Sequence, residues 1–452
     1  MGDQPMRLAQ LSDRIRHSLW FVPALCTVAS AGLALLLIWV SGATDLETDN
    51  LPLIFSAGVD GARAMLQAIA GSIITVAGVT FSITIVALQL TSTQFSPRVL
   101  RNFLRDRGNQ LVLGAFMGTF TYTLLVLRSI HSGDENASAF VPALAISGAL
   151  VLTLISLGLL IWFIHHISVR IQVTSILASV ADDTLETIDR LVRRWEGDED
   201  RDWRPSTHPT PATAPPSGSV TDEIRPDAEH LLPAEDSGYL QFVNMDRLVE
   251  VAREGDGCLR LLLPPGAWVQ RGAPLAAWEP GGGDAPDLEE MSRAVGEALG
   301  LGHERSMSED VAFGIQQIVD IVLKALSPSV NDPTTAMNGI DRLVQVLVAA
   351  GTVPDAPRSF ADTSGTRRLD VPFPRFEELI DLSFDQIRHH GAAVTAVVVH
   401  LARALSMLRA LPPHRHGAIA RHARSLADAA AASITLEDER RHALSAIRPL
   451  LD

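Results

Sequence analysis

The stretch GVTFSITIVALQLTSTQFSPR, Gly78 to Arg98, is apolar enough to lie in lipid, yet it is studded with hydroxyl and amide side chains and carries no charge before Arg98. At about 100° per residue, Gly71, Ser72, Thr75, Gly78, Ser82, Gln89 and Thr93 fall on one side of a helix, within an arc of roughly 120°. Thr80, Thr84 and Thr91 form a second stripe nearly opposite. Two chemistries suit such a helix. Neutral hydroxyls solvate a passing ion without trapping it, so Ser72, Thr75, Ser82, Gln89 and Thr93 are candidates to line a pore. Arg98, Arg101, Arg105 and Arg107 would then ring its mouth and concentrate anions there. Alternatively, small and hydroxyl residues bring membrane helices close together, and the stripe is packing surface.

Other chemistry-bearing groups are sparse. In SPSVNDPTT, residues Ser327, Asn331, Asp332 and Thr334 form a turn before a helix start, a place suited to an anion. Capping by Asp332, with Pro333 at the first helical position, explains the same residues without a ligand. His389, His390, His414, His416 and His422 cluster near the end. Without partnered cysteines or carboxylates at ligand spacing they read as a solvated helix face rather than a metal site. Cys26 and Cys258 are the only cysteines, too few and too far apart for a disulfide framework or zinc. No GxxxxGK[ST] or GxGxxG occurs, no nucleophile stands with its base, and no catalytic residue, metal or cofactor is expected.

The elements that must carry these residues begin with four apolar runs long enough to cross a bilayer: Leu19 to Val40, Met65 to Leu90, Leu111 to Leu127 and Phe140 to Ile164. The third is shortest and is expected to be the most buried or tilted. Its GAFMG, Gly114 to Gly118, is a small-xxx-small pair for helix packing. No span holds an ionisable residue at mid-depth, which argues against proton-coupled transport. Arg7, Arg14 and Arg16 precede the first span, Arg98 to Arg107 separate the second from the third, and Arg170 follows the fourth, whereas the other two loops are mainly acidic. Both termini are therefore expected in the cytoplasm, with the spans in a bacterial plasma membrane.

The chain has a net charge of -15 and is 47% hydrophobic. Residues 1 to 170 are close to neutral, so the acidity belongs to the rest, which phosphate backbones would repel; nucleic acid is not an expected partner. Residues 169–196 read as an extension of the fourth span. Residues 197–236, rich in Pro, Ser, Thr and acidic residues, read as a disordered linker. Residues 237–284 have short apolar runs between Gly and Pro turns, a small β-module with one helix, and GAWVQRGAPL is similar to the strand-turn-strand of lipoyl-like barrels. Residues 285–452 read as helices. Ser306 and Glu309 have capping-box spacing before a helix with Val311, Ile315, Ile318, Val322 and Leu326 on one face. A hairpin is expected near 358–373, then helices near Phe376 to His390, Ala392 to Leu411 and His416 to Ser433, and a short one to Leu450.

The segments VTFSITIVALQLTSTQFSPRVLRNFLRD, GTFTYTLLVLRSI, ALSPSVNDPTTAMNGIDRL and FDQIRHHG resemble recurrent blocks of a bacterial family of predicted membrane proteins, domain of unknown function 2254. The resemblance spans nearly the whole chain and implies four spans with a cytoplasmic C-terminal domain; it implies no activity for any residue. The expected fold is a mainly α, polytopic membrane protein: a four-helix transmembrane domain (1–168) followed by a cytoplasmic α+β domain, with a small β-barrel-like module and a helical bundle. Four polar-striped spans exceed what anchoring needs, so the expected function is a homo-oligomeric channel for small ions in the lipid bilayer. The alternative is a membrane-anchored scaffold or sensor whose cytoplasmic domain binds a partner.

Overall fold

The computed structural model describes residues 20–43, 58–94, 107–131, 140–170, 172–196, 202–206, 230–282, 286–355 and 358–451. The chain divides into two compact units, Met1–Ser175 and Ile176–Asp452.

In the first unit the four apolar runs are helices: α1 (Phe21–Ala43), α2 (Val59–Gln94), α3 (Arg107–Ser129) and α4 (Ala143–Arg170). At 1.5 Å per residue even the shortest exceeds a hydrocarbon core about 30 Å thick. The third span is the most buried of the four, as its length predicts, and it packs against all three others. Glycine makes its approach to α1 feasible. A Cβ at Gly118 would lie 2.5 Å from Ser30 Oγ and 3.2 Å from the Cys26 carbonyl oxygen. One at Gly114 would lie 3.1 Å from Pro23 Cα, so the pair in GAFMG lets two backbones meet. Two hydrogen bonds tie α3 to α4 inside the bundle, where lipid offers no alternative partner. Thr119 and Ser156 share a hydrogen bond of 3.0 Å, and the Tyr122 hydroxyl donates to the Ala145 carbonyl at 2.8 Å.

The amphipathic helix α5 (Val173–Glu196) belongs to the second unit from Ile176 on. A six-stranded sheet has the order β1-β8-β9-β4-β6-β2, built from β1 (Trp203–Pro205), β2 (Leu231–Pro233), β4 (Gly257–Leu261), β6 (Pro274–Pro280), β8 (Ser359–Asp362) and β9 (Arg367–Asp370). All its pairings are antiparallel except β4 with β9. A three-stranded antiparallel sheet has the order β5-β3-β7, from β3 (Gly238–Val243), β5 (Trp268–Val269) and β7 (Leu299–Gly302).

These sheets differ from a barrel-like module in residues 237–284. They are open, and no closed barrel forms among the described residues. Four short strands are too few to close a barrel, and strands from before and after that stretch complete the sheets. GAWVQRGAPL does supply strand, turn and strand, but β5 and β6 belong to different sheets. Trp203–Pro205 and Leu231–Pro233 fall inside the stretch read as a linker and are strands, Trp203 being buried in the core with its indole N–H on Asp246 Oδ1 at 2.6 Å. The sheets pack their apolar faces on α6 (Met245–Glu254) and α7 (Leu288–Glu297) around Leu259, Trp278, Phe360 and Leu369.

The remaining helices follow the sequence reading closely: α8 (Val311–Leu326), α9 (Pro333–Thr352), α10 (Phe376–Gly391), α11 (Thr395–Leu408), α12 (His416–Ser433) and α13 (Glu437–Ile447). α8 buries Val311, Ile315, Ile318 and Val322 and pairs with α9 and α10, while α11 packs on α9, α12 and α13. The start of α8 departs from the capping-box reading. Asp310 is its N-cap, accepting from the Phe313 N–H at 2.9 Å, and Glu309 turns away into a buried pair with Arg194. The hairpin β8–β9 turns at Thr363-Ser364-Gly365 as expected, with Gly365 at φ +83°, a backbone region costly for other residues.

Candidate functional site

α2 presents two unlike faces. Leu66, Ile69, Ile73, Ala77, Thr80 and Ala87 are buried against the other helices. Ser72, Thr75, Ser82 and Gln89 are exposed on the outside of the four-helix unit. A Cβ built on Gly71 or Gly78 would meet nothing within 4 Å. Of the two opposed polar stripes, the one with Thr80 and Thr84 therefore turns inward and the one with Ser72 turns outward. Thr93 continues the helix, but its side chain, like that of Arg107, lies outside the described residues; so do Arg98, Arg101 and Arg105 entirely.

The outward hydroxyls are compatible with lipid or water. Ser72 Oγ donates to the Ile69 carbonyl at 3.0 Å and Thr75 Oγ1 to the Gly71 carbonyl at 2.8 Å, back-bonds that satisfy a hydroxyl within its own helix. A further regularity, readable in the sequence, escapes a listing of polar residues alone. Ala64 and Ala68, Gly71 and Thr75, and Gly78 and Ser82 are three small-xxx-small pairs spaced seven residues apart, all exposed. A seven-residue period keeps one seam in register between two supercoiled helices, and small residues on it let their backbones approach.

The turn in the second unit is a connector. Ser327 Oγ donates to the Lys324 carbonyl at 2.7 Å, closing α8, and the Asp332 N–H donates to the Ala325 carbonyl at 2.8 Å. Asn331 takes a left-handed φ of +48°, a conformation its short amide side chain tolerates. Asp332 accepts from the Thr335 hydroxyl at 2.6 Å and the Thr335 N–H at 3.1 Å, and these bonds hold its carboxyl below the usual range. Thr334 is exposed beside it. The bonds of Ser327 and Asp332 are those of helix termini, and capping accounts for them.

The histidines do not share one solvated face. His389 and His390 are exposed, and His416 bonds the Leu411 carbonyl at 2.9 Å. His422 is buried between α10 and α12, with Nε2 2.7 Å from Asp381 Oδ1 and Nδ1 3.5 Å from Arg388. Its burial follows from inter-helix packing, for which the helix's own periodicity carries no partner information. Burial lowers its pKa against the opposing pull of Asp381. Burial also pushes the Cys258 thiol up to about 12, which makes it a poor nucleophile at neutral pH. Among the described residues no group of three or more His, Cys, Asp or Glu is placed to hold a metal ion.

No solved structure matches this chain. Uncharacterized proteins of Mycobacterium tuberculosis and Mycobacterium bovis are 31% identical to it over 403 residues, which cover 88% of this chain and 73% of theirs. The family described as "Predicted membrane protein (DUF2254)" matches residues 16–407, a stretch that includes all four apolar helices, both sheets and the helices through most of α11. The chain belongs to the DUF2254 family of predicted membrane proteins.

Proposed function

We propose that this protein is an oligomeric channel for small ions, lined by the outward stripe of α2 and regulated by the C-terminal unit, with both termini on the cytoplasmic side of a bacterial plasma membrane. One observation carries the reading: Ser72, Thr75, Ser82 and Gln89 stand on the outer surface of the four-helix unit, where no other span of the same chain covers them. A polar row on the outside of a membrane bundle is satisfied best by water or by another copy. The three small-xxx-small pairs on the same face favour another copy. Several copies around an axis would enclose a channel walled by neutral hydroxyls. Orientation rests on the arginines flanking the spans.

A second reading, a membrane-anchored scaffold or sensor, is favoured by the back-bonds of Ser72 and Thr75, which let the stripe close dry against a second copy and leave no water path. Imaging of single particles in nanodiscs, combined with ion flux in liposomes, separates the two. A ring of three or more copies with α2 toward the axis, and flux abolished by Ser82→Trp, supports the channel. A monomer, or flux that Ser82→Trp leaves untouched, refutes it. A dry dimer without flux favours the scaffold.

A further inference from the structure

The last turns of α5 carry Arg190, Arg193 and Arg194 along an open recess of about 660 Å³, which Glu186, Phe242 of β3 and Ser308 ahead of α8 also line. That volume is typical of small-ligand sites. Two of the guanidinium groups are held in place. Arg194 is clamped between the buried Glu309 carboxylate and the Val243 carbonyl, the latter at 2.8 Å, and lies 5.5 Å from the centre of the Phe242 ring. Arg190 donates to the Ser308 carbonyl at 3.1 Å. Glu309 also accepts from the Val243 N–H at 3.0 Å, so its charge is engaged inside the wall.

The side chains of Arg190 and Arg193 are 51% and 75% exposed. The carboxylates nearest them are weak partners: Glu186 is 3.5 Å from Arg190 and Asp189 is 4.0 Å from Arg193, both largely exposed themselves. Phe242 is partly exposed for a structural reason. A bulge between Leu240 and Phe242 in the pairing with β7 turns the ring outward, and its partner across the ladder is Gly300, which covers nothing. The recess thus joins an aromatic ring that is 43% exposed, with Arg194 over it, to two cations with capacity to spare.

We propose that this recess binds an organic phosphate bearing a flat ring, a nucleoside phosphate being the simplest case. The ring stacks on the part of Phe242 that Arg194 leaves exposed, and the phosphate oxygens accept hydrogen bonds from Arg190 and Arg193. The site shares nothing with a P-loop: it lies at the C-terminal end of a helix, whose dipole repels anions, so the guanidinium groups alone must supply the attraction. The inference does not depend on the channel reading.

Calorimetric titration of the full chain, in nanodiscs of a zwitterionic lipid, with AMP, ATP and GTP, and with pyrophosphate as the ring-free probe, tests it. Saturable binding of a nucleotide is expected, weakened about tenfold by Arg193→Ala or Arg190→Ala and about tenfold by Phe242→Leu, with pyrophosphate bound more weakly. All three residues are substantially exposed, and an unchanged unfolding temperature verifies that each variant is folded; Arg193→Gln stands in if Arg193→Ala is not. Three results overturn the proposal: no saturable binding of any nucleotide, affinity untouched by these substitutions, or pyrophosphate bound as tightly as ATP.

Discussion

Enlarging Gly118 probes how the first membrane unit is built. An added Cβ would stand 2.5 Å from Ser30 Oγ, 3.3 Å from Ser30 Cβ and 3.2 Å from the Cys26 carbonyl oxygen. The serine hydroxyl can rotate away, but the carbonyl belongs to the backbone of α1. In Gly118→Ala the helices need move by only a few tenths of an ångström, for a cost near the lower end of the about 1–3 kcal/mol typical of overpacking. Gly118→Leu forces α1 and α3 apart and reaches the upper end or beyond. At about 2–4 °C per kcal/mol for a unit of this size, the leucine variant should unfold roughly 6–12 °C lower. The control is Gly71→Leu, whose position is open and whose effect on the monomer should be small. Unfolding can be followed by thiol labelling of Cys26, which lies against Gly114 at the same contact, in a Cys258→Ser background. Gly118→Leu that unfolds and labels like the parent, or Gly71→Leu that destabilises as much, would refute the assignment of α3 as the packed centre.

Three further outcomes are expected. Asp362 is buried, which raises its pKa, but hydrogen bonds from Arg368, Ser364 and the Thr366 N–H prevail and hold it at about 2. Its folded pKa is depressed, so its contribution is full above about pH 4 and is lost as pH falls toward 2; Asp362→Asn should remove about 2 kcal/mol of acid-dependent stability, read from tryptophan fluorescence on acid titration. His422 is held toward its neutral form by burial, with Asp381, Asp385, Arg388 and Arg421 facing it. Below about pH 6.5 the unfolded chain binds the proton that the folded one resists, so stability should rise with pH there, and a thermal-unfolding series in His422→Gln should lose that slope. Arg194→Ala strands the buried Glu309, whose pKa burial already raises, and should cost about 3–5 kcal/mol in denaturant unfolding, with Glu309→Gln in the same background restoring part of it.

The order and type of most elements were legible in the sequence because their signals are local. An apolar run of bilayer length announces each span, Pro328 and Asp332-Pro333 bracket the turn from α8 to α9, and Gly365 marks the hairpin. The repeated small pairs on α2 were present in the same letters. Tertiary structure decided what depends on a partner distant in the chain. β4 lies beside β9 over a hundred residues away, and Trp203 and Leu232 leave a Pro-rich stretch to complete the core. His422 is buried by α10, and Glu309 leaves its capping position for Arg194. On α2, periodicity placed two polar stripes on opposite faces with nothing to choose between them. Packing against α3 chose, burying Thr80 and leaving Ser72, Thr75 and Ser82 outside. A helix's own pattern specifies which residues share a face, whereas only its neighbours determine which face is covered.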